Sequence, residues 1–433
     1  MRPRTWVLAL AAVFALLQLA GVTGRDTPDS KNYVSYALSL RGDGKREAAG
    51  ATIDWVCAGR ASIAQRKQSV DVLRFHAPDP TARVTERCRG ELWRVVDERL
   101  RAGQTGGHIA PFASERFTRI FEARPGYPVL LVPFITVFGV TWGVWLTSVL
   151  VAVAGGVLAF LVLRTLGASP VVALTGQALF YVLPCGTTAM RPMTEGLMLA
   201  LTLAALWGCA LAVEGRGRAG AALVGGSLVL LFTVKHSQAM FLAVCLAGVC
   251  AVTAVRRRRL DRPQLLIGSV AVGGALATVV AASLLRYPST SESVQDLLTH
   301  HFRRPDRARP WPEFLHLEVN FWVEWLRRQF WEPLFLTALV AGAWGAVRQR
   351  PVFAGFLLAA AATGFLTHAA HPDITIWGDR LIVLAWLLPV IGLPLLLERM
   401  TGVRAAGAVA APGLGPGPAP GPGLSGWDTP VTR

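Results

Sequence analysis

Residues 127–140 read YPVLLVPFITVFGV, and the way this stretch is threaded decides the fold. It holds fourteen residues and two prolines. A helix of that length reaches about 21 Å, short of the roughly 30 Å of a bilayer's hydrocarbon. The stretch therefore reads as a re-entrant or juxtamembrane helix. Ten longer apolar runs surround it: 5–23, 143–163, 170–187, 196–213, 219–234, 239–255, 264–285, 331–347, 351–369 and 380–397.

The charges between the runs test that reading. With MRPR inside and 127–140 left uncounted, the inside loops are 164–169, EGRGRAG at 214–220, RRRRLDRPQ at 256–264, VRQR at 347–350 and the end at ERMTGVR. All are short and rich in Arg. The outside loops 188–195, 235–238 and 370–379 are not, which obeys the positive-inside rule. Counting 127–140 as a full span would move the RRRR run outside. The expected fold is an all-α polytopic membrane protein with about ten transmembrane helices, one juxtamembrane helix and a long first extracytoplasmic loop.

Composition agrees: 53% of the 433 residues are apolar and 16% charged. The net charge of +16 is nearly all Arg, since Lys31, Lys45, Lys67 and Lys235 are the whole lysine complement. In a membrane protein such an excess reads as orienting loop charge, so no nucleic-acid partner is expected. Residues 1–23 read as an uncleaved signal anchor, 24–126 as the first outer loop, and 127–285 as the juxtamembrane helix with transmembrane helices. Residues 286–330 read as a second outer loop, and 331–400 as the last spans. The second outer loop carries an interfacial helix around Trp322 and Trp325, with Trp331 at the loop's end. The Pro/Gly-rich tail 401–433 reads as disordered and cytoplasmic.

Cys57 and Cys88 share the first outer loop, and a disulfide between them is open if that loop is extracytoplasmic. Within the loop, RGELWRVVDERLRAG reads as an amphipathic helix from about Gly90 to Arg101. No Cys/His spacing suggests zinc, and His368, His371 and Asp373 form no recognised metal pattern.

Unusual polar groups collect at the outer span ends, where ionisable side chains are costly and point to function. They are Asp26 and Asp29, Arg124, Arg191 and Glu195, Lys235 and His236, His368, His371, Asp373, Asp379 and Arg380. Each also has a plain structural reading. Glu195 can cap a helix N-terminus, where the dipole favours a carboxylate. Arg124 can snorkel to headgroups, and Arg380 can bridge to Asp379.

The order of these features resembles the GT-C superfamily of integral membrane glycosyltransferases, which includes protein O-mannosyltransferases and aminoarabinose transferases. The likeness runs through roughly residues 1–400. In DSKNYVSYALSLRG, Asp29 stands four before Tyr33 and eight before Ala37, similar to the family's first-loop D-x-x-x-Y-x-x-x-A register. The resemblance makes Asp29 the general base, with Asp26 as its rival and Glu195 as the acid of the second outer loop. Arg124 and Tyr127, in the stretch R-P-G-Y-P at 124–128, resemble the element closing the family's first loop, and Arg380 a residue that contacts lipid phosphate. Arg191, Lys235 and His236 join this substrate- and phosphate-binding set.

The implied reaction moves a sugar from a polyprenyl-phosphate donor to a glycan, lipid or protein acceptor at the outer face of the cell membrane. No cofactor is expected. A divalent metal is compatible with the resemblance, but the sequence lacks the Asp-Glu or Asp-x-Asp pair that would hold one. Two other readings stand beside this one: a transporter or lipid flippase, and a non-catalytic scaffold of GT-C shape.

Overall fold

A computed structural model describes residues 3–258, 261–376 and 380–400. Asp379 and the 401–433 tail lie outside the described residues. The described chain is helical, with no strand among its residues. In order, the helices are α1 Pro3–Gln18, α2 Ser30–Arg41, α3 Lys45–Ser69, α4 Thr81–Arg101, α5 Glu115–Glu122 and α6 Gly126–Thr165. Then come α7 Pro170–Val182, α8 Pro184–Ala189, α9 Thr194–Val213, α10 Gly217–Arg257 and α11 Arg262–Leu284. The last are α12 Thr290–Leu298, α13 Pro310–Trp331, α14 Leu334–Gln349, α15 Pro351–Ala369 and α16 Leu387–Met400.

Six of these are long and apolar enough to cross a membrane, or seven if the bent pair α13–α14 counts as one span. The protein is thus an all-α, multi-pass membrane protein. Two of the six are not straight rods. Gly139 breaks α6 with φ 72°, a left-handed conformation that glycine adopts without a Cβ clash. Beyond it the chain doubles back. Gly143 packs on the backbone of Phe134 and Ile135, so near that a Cβ there would sit 2.6 Å from Ile135 N. The stretch 127–140 is therefore a separate arm lying against the membrane helix that follows.

Lys235 also breaks α10, here with extended backbone (φ −162°, ψ 93°). A straight helix of 41 residues would run about 60 Å. Instead Gly217, at its start, packs on Pro263, while Cys250, near its end, packs on Gly268. Both ends of α10 thus reach the start of α11, which requires a reversal at Lys235. The two arms correspond to the apolar runs 219–234 and 239–255.

Other elements depart from the sequence reading. The run 170–187 splits into α7 and α8 at Leu183-Pro184, where a proline disfavours continued helix. The runs 331–347 and 380–397 yield helices of 16 and 14 residues, the second preceded by a 3-10 turn at Val383–Trp386. The amphipathic α4 begins at Thr81, nine residues before Gly90, because Asp79 Oδ1 accepts from Thr81 N at 2.9 Å and starts the helix there. Helices α13 and α14 meet at 87°. Trp322 and Trp325 of α13 pack inward against Phe365, while Trp331 stays exposed.

One large apolar core joins α1 to the membrane helices; Phe14 stacks on Tyr181 at 4.3 Å. A second core seats α2, α3 and α5 on the first arm of α6, through Tyr33, Trp55, Phe121 and Tyr127. A third lies between α3 and α4 around the Cys57–Cys88 disulfide. The core defines two ends. At one, Arg350 Nη2 donates to Leu166 O, Arg350 pairs with Glu214 at 3.3 Å, and Glu398 accepts from Ser169 N at 3.0 Å. That end gathers the Arg-rich loops. The polar groups flagged at the outer span ends gather at the other.

Candidate functional site

Three chain segments converge at that second end. The first is the link from α1 to α2. Thr27 N donates to Ser30 Oγ at 2.8 Å, which tightens the TPDS turn. Asp29 then sits at the N-cap of α2, where its backbone oxygen accepts from Asn32 N at 2.9 Å and its side chain is left free of capping. The second segment starts α9. Met193 is extended, and Glu195 falls in the first turn, where the helix dipole favours a carboxylate. The third carries Arg380, just ahead of the final 3-10 turn.

The Arg380 guanidinium joins the other two. Its Nη2 is hydrogen-bonded to Asp29 Oδ2, and its Nε donates to Glu195 Oε1 at 3.2 Å. The side chains are 18%, 21% and 3% exposed for Arg380, Asp29 and Glu195, so Asp29 keeps a path to solvent and Glu195 does not. Thr194 Oγ1 donates to the remaining Glu195 oxygen, Oε2, at 3.1 Å. A carboxylate so deep must be paired and hydrogen-bonded to be tolerated, and this one is both.

Around this trio stand two more cations. Arg124, on the connection from α5 to α6, lies over the Phe121 ring at 5.9 Å and close to Tyr33 and Glu195. Lys235, at the reversal in α10, is buried within electrostatic reach of Glu195 and Arg124. Gly126 packs on Thr233 and Val234, which fixes the Arg124 turn against that reversal. Three cations, Arg380, Arg124 and Lys235, therefore share the pocket with Asp29 and Glu195, and the buried Asp296 lies within electrostatic reach of Arg124. A cluster of cations of this kind suits a phosphate, and an Arg fork can grip phosphate oxygens in pairs.

The remaining flagged residues take other places. Tyr127 is buried edge-on to Tyr33, ring centres 5.6 Å apart, and shapes the floor of the site. His236 follows Lys235 and packs on Tyr287 at 5.2 Å. Arg191 is half-buried on the turn from α8 to α9, four residues before Glu195. Asp26 faces α3 rather than Arg380: its Oδ1 lies against Gly59 and finds no hydrogen-bond partner. Burial pushes its carboxyl above the usual range, with a hydrogen bond from its own backbone N–H and then Arg60 opposing.

Some neighbours were not singled out for the site in the sequence. The Tyr33 hydroxyl meets Thr194 Oγ1 at 3.5 Å, and Tyr36 stacks on His108 at 4.7 Å. Asn32 and Ser35 of α2 are buried. A signal for them existed: six of the twelve α2 residues are Ser, Asn or Tyr, more polar than a packed helix needs. A cleft of about 430 Å³ opens nearby between α12, α13 and the loop after α15, lined by His300, His301, Asn320, Glu324, His371 and Asp373 among others. His371 on its wall lies within electrostatic reach of Lys235, which connects the cleft to the trio. His368 is not part of that lining but packs in the core behind it, on Phe321, which does line the cleft.

Among the described residues, no three His, Cys, Asp or Glu side chains gather as a metal site. The two carboxylates that would ligate a divalent cation are held by a guanidinium, with Arg124 and Lys235 close by. That donor set does not fit a metal. No family model, curated protein or solved structure matches this chain.

Proposed function

We propose that this protein is a GT-C-like membrane glycosyltransferase that takes its sugar from a polyprenyl-phosphate donor. The observation that carries this reading is the Arg380 bridge between Asp29 and Glu195, residues from three distant parts of the chain. It supplies a partly accessible carboxylate, a phosphate-binding cation and a buried counter-charge within one pocket.

The chemistry follows from those parts. The acceptor hydroxyl oxygen attacks the anomeric carbon of the donor. Asp29 takes the hydroxyl proton as general base. The bond from the anomeric carbon to the phosphate oxygen breaks, and its electron pair leaves on the lipid phosphate. Arg380 and Arg124 hold the charge that develops there. One displacement inverts the anomeric centre. In the ligand-free protein Arg380 quenches Asp29. An arriving phosphate competes for the guanidinium and frees the carboxylate to act as base, so donor binding switches on the base.

The lipid tail keeps the donor in the bilayer, which accounts for the site's place at the end of the helix bundle. Ten crossings are proposed: α1, the second arm of α6, α7 continued by α8, α9, both arms of α10, α11, α14, α15, and α16 with the 3-10 turn before it, with the site extracytoplasmic and the C-terminal tail cytoplasmic. Two observations favour that sidedness. The Arg-rich loops share the opposite end, and the disulfide between Cys57 and Cys88 needs an oxidising compartment. A transporter would set broken helices at the bilayer midplane. Here the break at Lys235 lies beside the site at the bundle's end.

The test is transfer of radiolabel from polyprenyl-phosphate sugars in membranes containing the protein. Label moving to an acceptor only when the protein is present supports the reading. No transfer from any donor across pentose and hexose classes, with the protein folded, contradicts it.

A further inference from the structure

Residues 70–76, VDVLRFH, join α3 to α4 and expose four large apolar side chains. Val70 is 80% exposed, Val72 85%, Leu73 80% and Phe75 64%. The segment is nonetheless ordered. Asp71 Oδ1 accepts from Leu73 N at 2.9 Å and Arg74 N at 3.1 Å, and Gln68 ties the returning chain by donating to Ala77 O at 2.9 Å. An ordered tip that presents apolar groups outward has something to meet.

Three further observations say what. The tip is ringed by cations: Arg66, Lys67 and Arg74 are exposed, and none of them pairs with a carboxylate among the described residues. The nearby acids are occupied, Asp71 by the tip's own backbone and Asp79 by Thr81 and Gln65. Most decisive is the position. Gly24, just past the candidate membrane span Pro3–Gly21, packs on Gly59, Ile63 and Arg66 of α3. Val70 follows Ile63 and Arg66 by seven and four residues, about 6–10 Å along the helix. Trp55, farther back on α3, lines a small cavity with Val144 and Trp145 of α6. Helix α3 is thus held at the level where α1 leaves the bilayer.

We infer that the α3–α4 tip dips into the lipid surface, with Val70, Val72, Leu73 and Phe75 among the acyl chains and Arg66, Lys67 and Arg74 on anionic headgroups. A convex apolar tip within a ring of cations matches the two layers of a bilayer interface, apolar below and anionic above. The tip would anchor the first outer loop beside the link from α1 to α2 that leads to Asp29.

The test places a fluorophore at Leu73→Cys in the full-length protein, reconstituted in phosphatidylcholine vesicles with and without phosphatidylglycerol. Wild-type protein labelled in parallel sets the background of the native cysteines. Gln104→Cys, on the connection from α4 to α5, reports a loop outside the bilayer. The dye at 73 should lose most of its emission to nitroxide-bearing lipid and little to iodide, and the dye at 104 the reverse. Lys67→Glu with Arg74→Glu should weaken lipid quenching only in vesicles with phosphatidylglycerol. Val72→Cys serves as a second site if Leu73→Cys does not fold. Iodide quenching without lipid quenching at both sites overturns the inference. So does burial that appears only as protein density rises, because it would assign the tip to a second copy of the chain.

Discussion

Glu195 holds its charge almost wholly out of water, and Arg380 and Thr194 are what make that tolerable. Removing one partner of a buried pair strands the other, at about 3–5 kcal/mol. Arg380→Ala should therefore lower thermal stability in detergent by about that much, while Glu195→Gln, which keeps the Thr194 bond, should cost less. Equal losses for both would mean that the pair is not the source. Asp26 gives the opposite expectation. Its carboxylate is half-buried with Oδ1 left without a hydrogen bond, so Asp26→Asn should leave the melting temperature unchanged or raise it, and a clear fall would reveal a missed partner. His371 lies on the cleft wall, where burial and then Lys235 push it from 6.5 down to about 4. A group held below its unfolded value resists protonation in the fold. Its contribution to stability is therefore complete above about pH 6.5 and lost as pH falls toward 4. His371→Gln should remove that part of the acid sensitivity, read from melting temperatures between pH 4 and 7. At this scale the sequence shows each ionisable residue singly, because charge at a span end is conspicuous. It does not show that Arg380 reaches Asp29 and Glu195, which lie 351 and 185 residues away.

Helices here are joined by close backbone approaches, and these set the element-scale expectations. Gly342 of α14 meets α16 so tightly that a Cβ would sit 2.5 Å from Leu388 O, whereas Gly226 of α10 has open space around it. Small residues let membrane helices come this near. Gly342→Val should destabilise the bundle by more than about 1–3 kcal/mol, the range for overpacking where side chains can yield. Gly226→Val should be nearly silent in the same unfolding assay, and similar losses would deny the α14–α16 contact. The Cys57–Cys88 bond closes a loop with a sequence separation of 31. Chain-entropy arguments give such a loop about 3–4 kcal/mol, so reduction or Cys88→Ser should lower the stability of the α3–α4 pair and spare the membrane helices. The two arms of α10 are legible in the sequence because KHSQ interrupts the apolar run. The same pattern of polar interruption is missing at Leu183-Pro184, where an apolar proline breaks the helix, so 170–187 reads as one span. The start of α4 is hidden for another reason: residues 81–89 carry little apolar periodicity, and the helix there depends on the Asp79 cap and the disulfide.

For the molecule as a whole, the positive-inside pattern separates two sets of loops that the fold gathers at opposite ends. Helix α9 spans the distance between them: its 20 residues run about 30 Å from Glu195 toward Glu214. That much is legible because lipid imposes a simple rule, that apolar runs cross and short Arg-rich loops stay inside. The packing order of helices is not legible, since lipid tails and neighbouring helices reward the same apolar surface. The measurement that bears most directly on the central claim is sugar transfer from polyprenyl-phosphate donor by folded Asp29→Asn protein. The pocket predicts a loss of about 10²–10⁴-fold in rate with the donor still bound, the range for removal of a general base. Transfer at the wild-type rate would contradict it, and would leave the Asp29–Arg380–Glu195 cluster as a structural clasp.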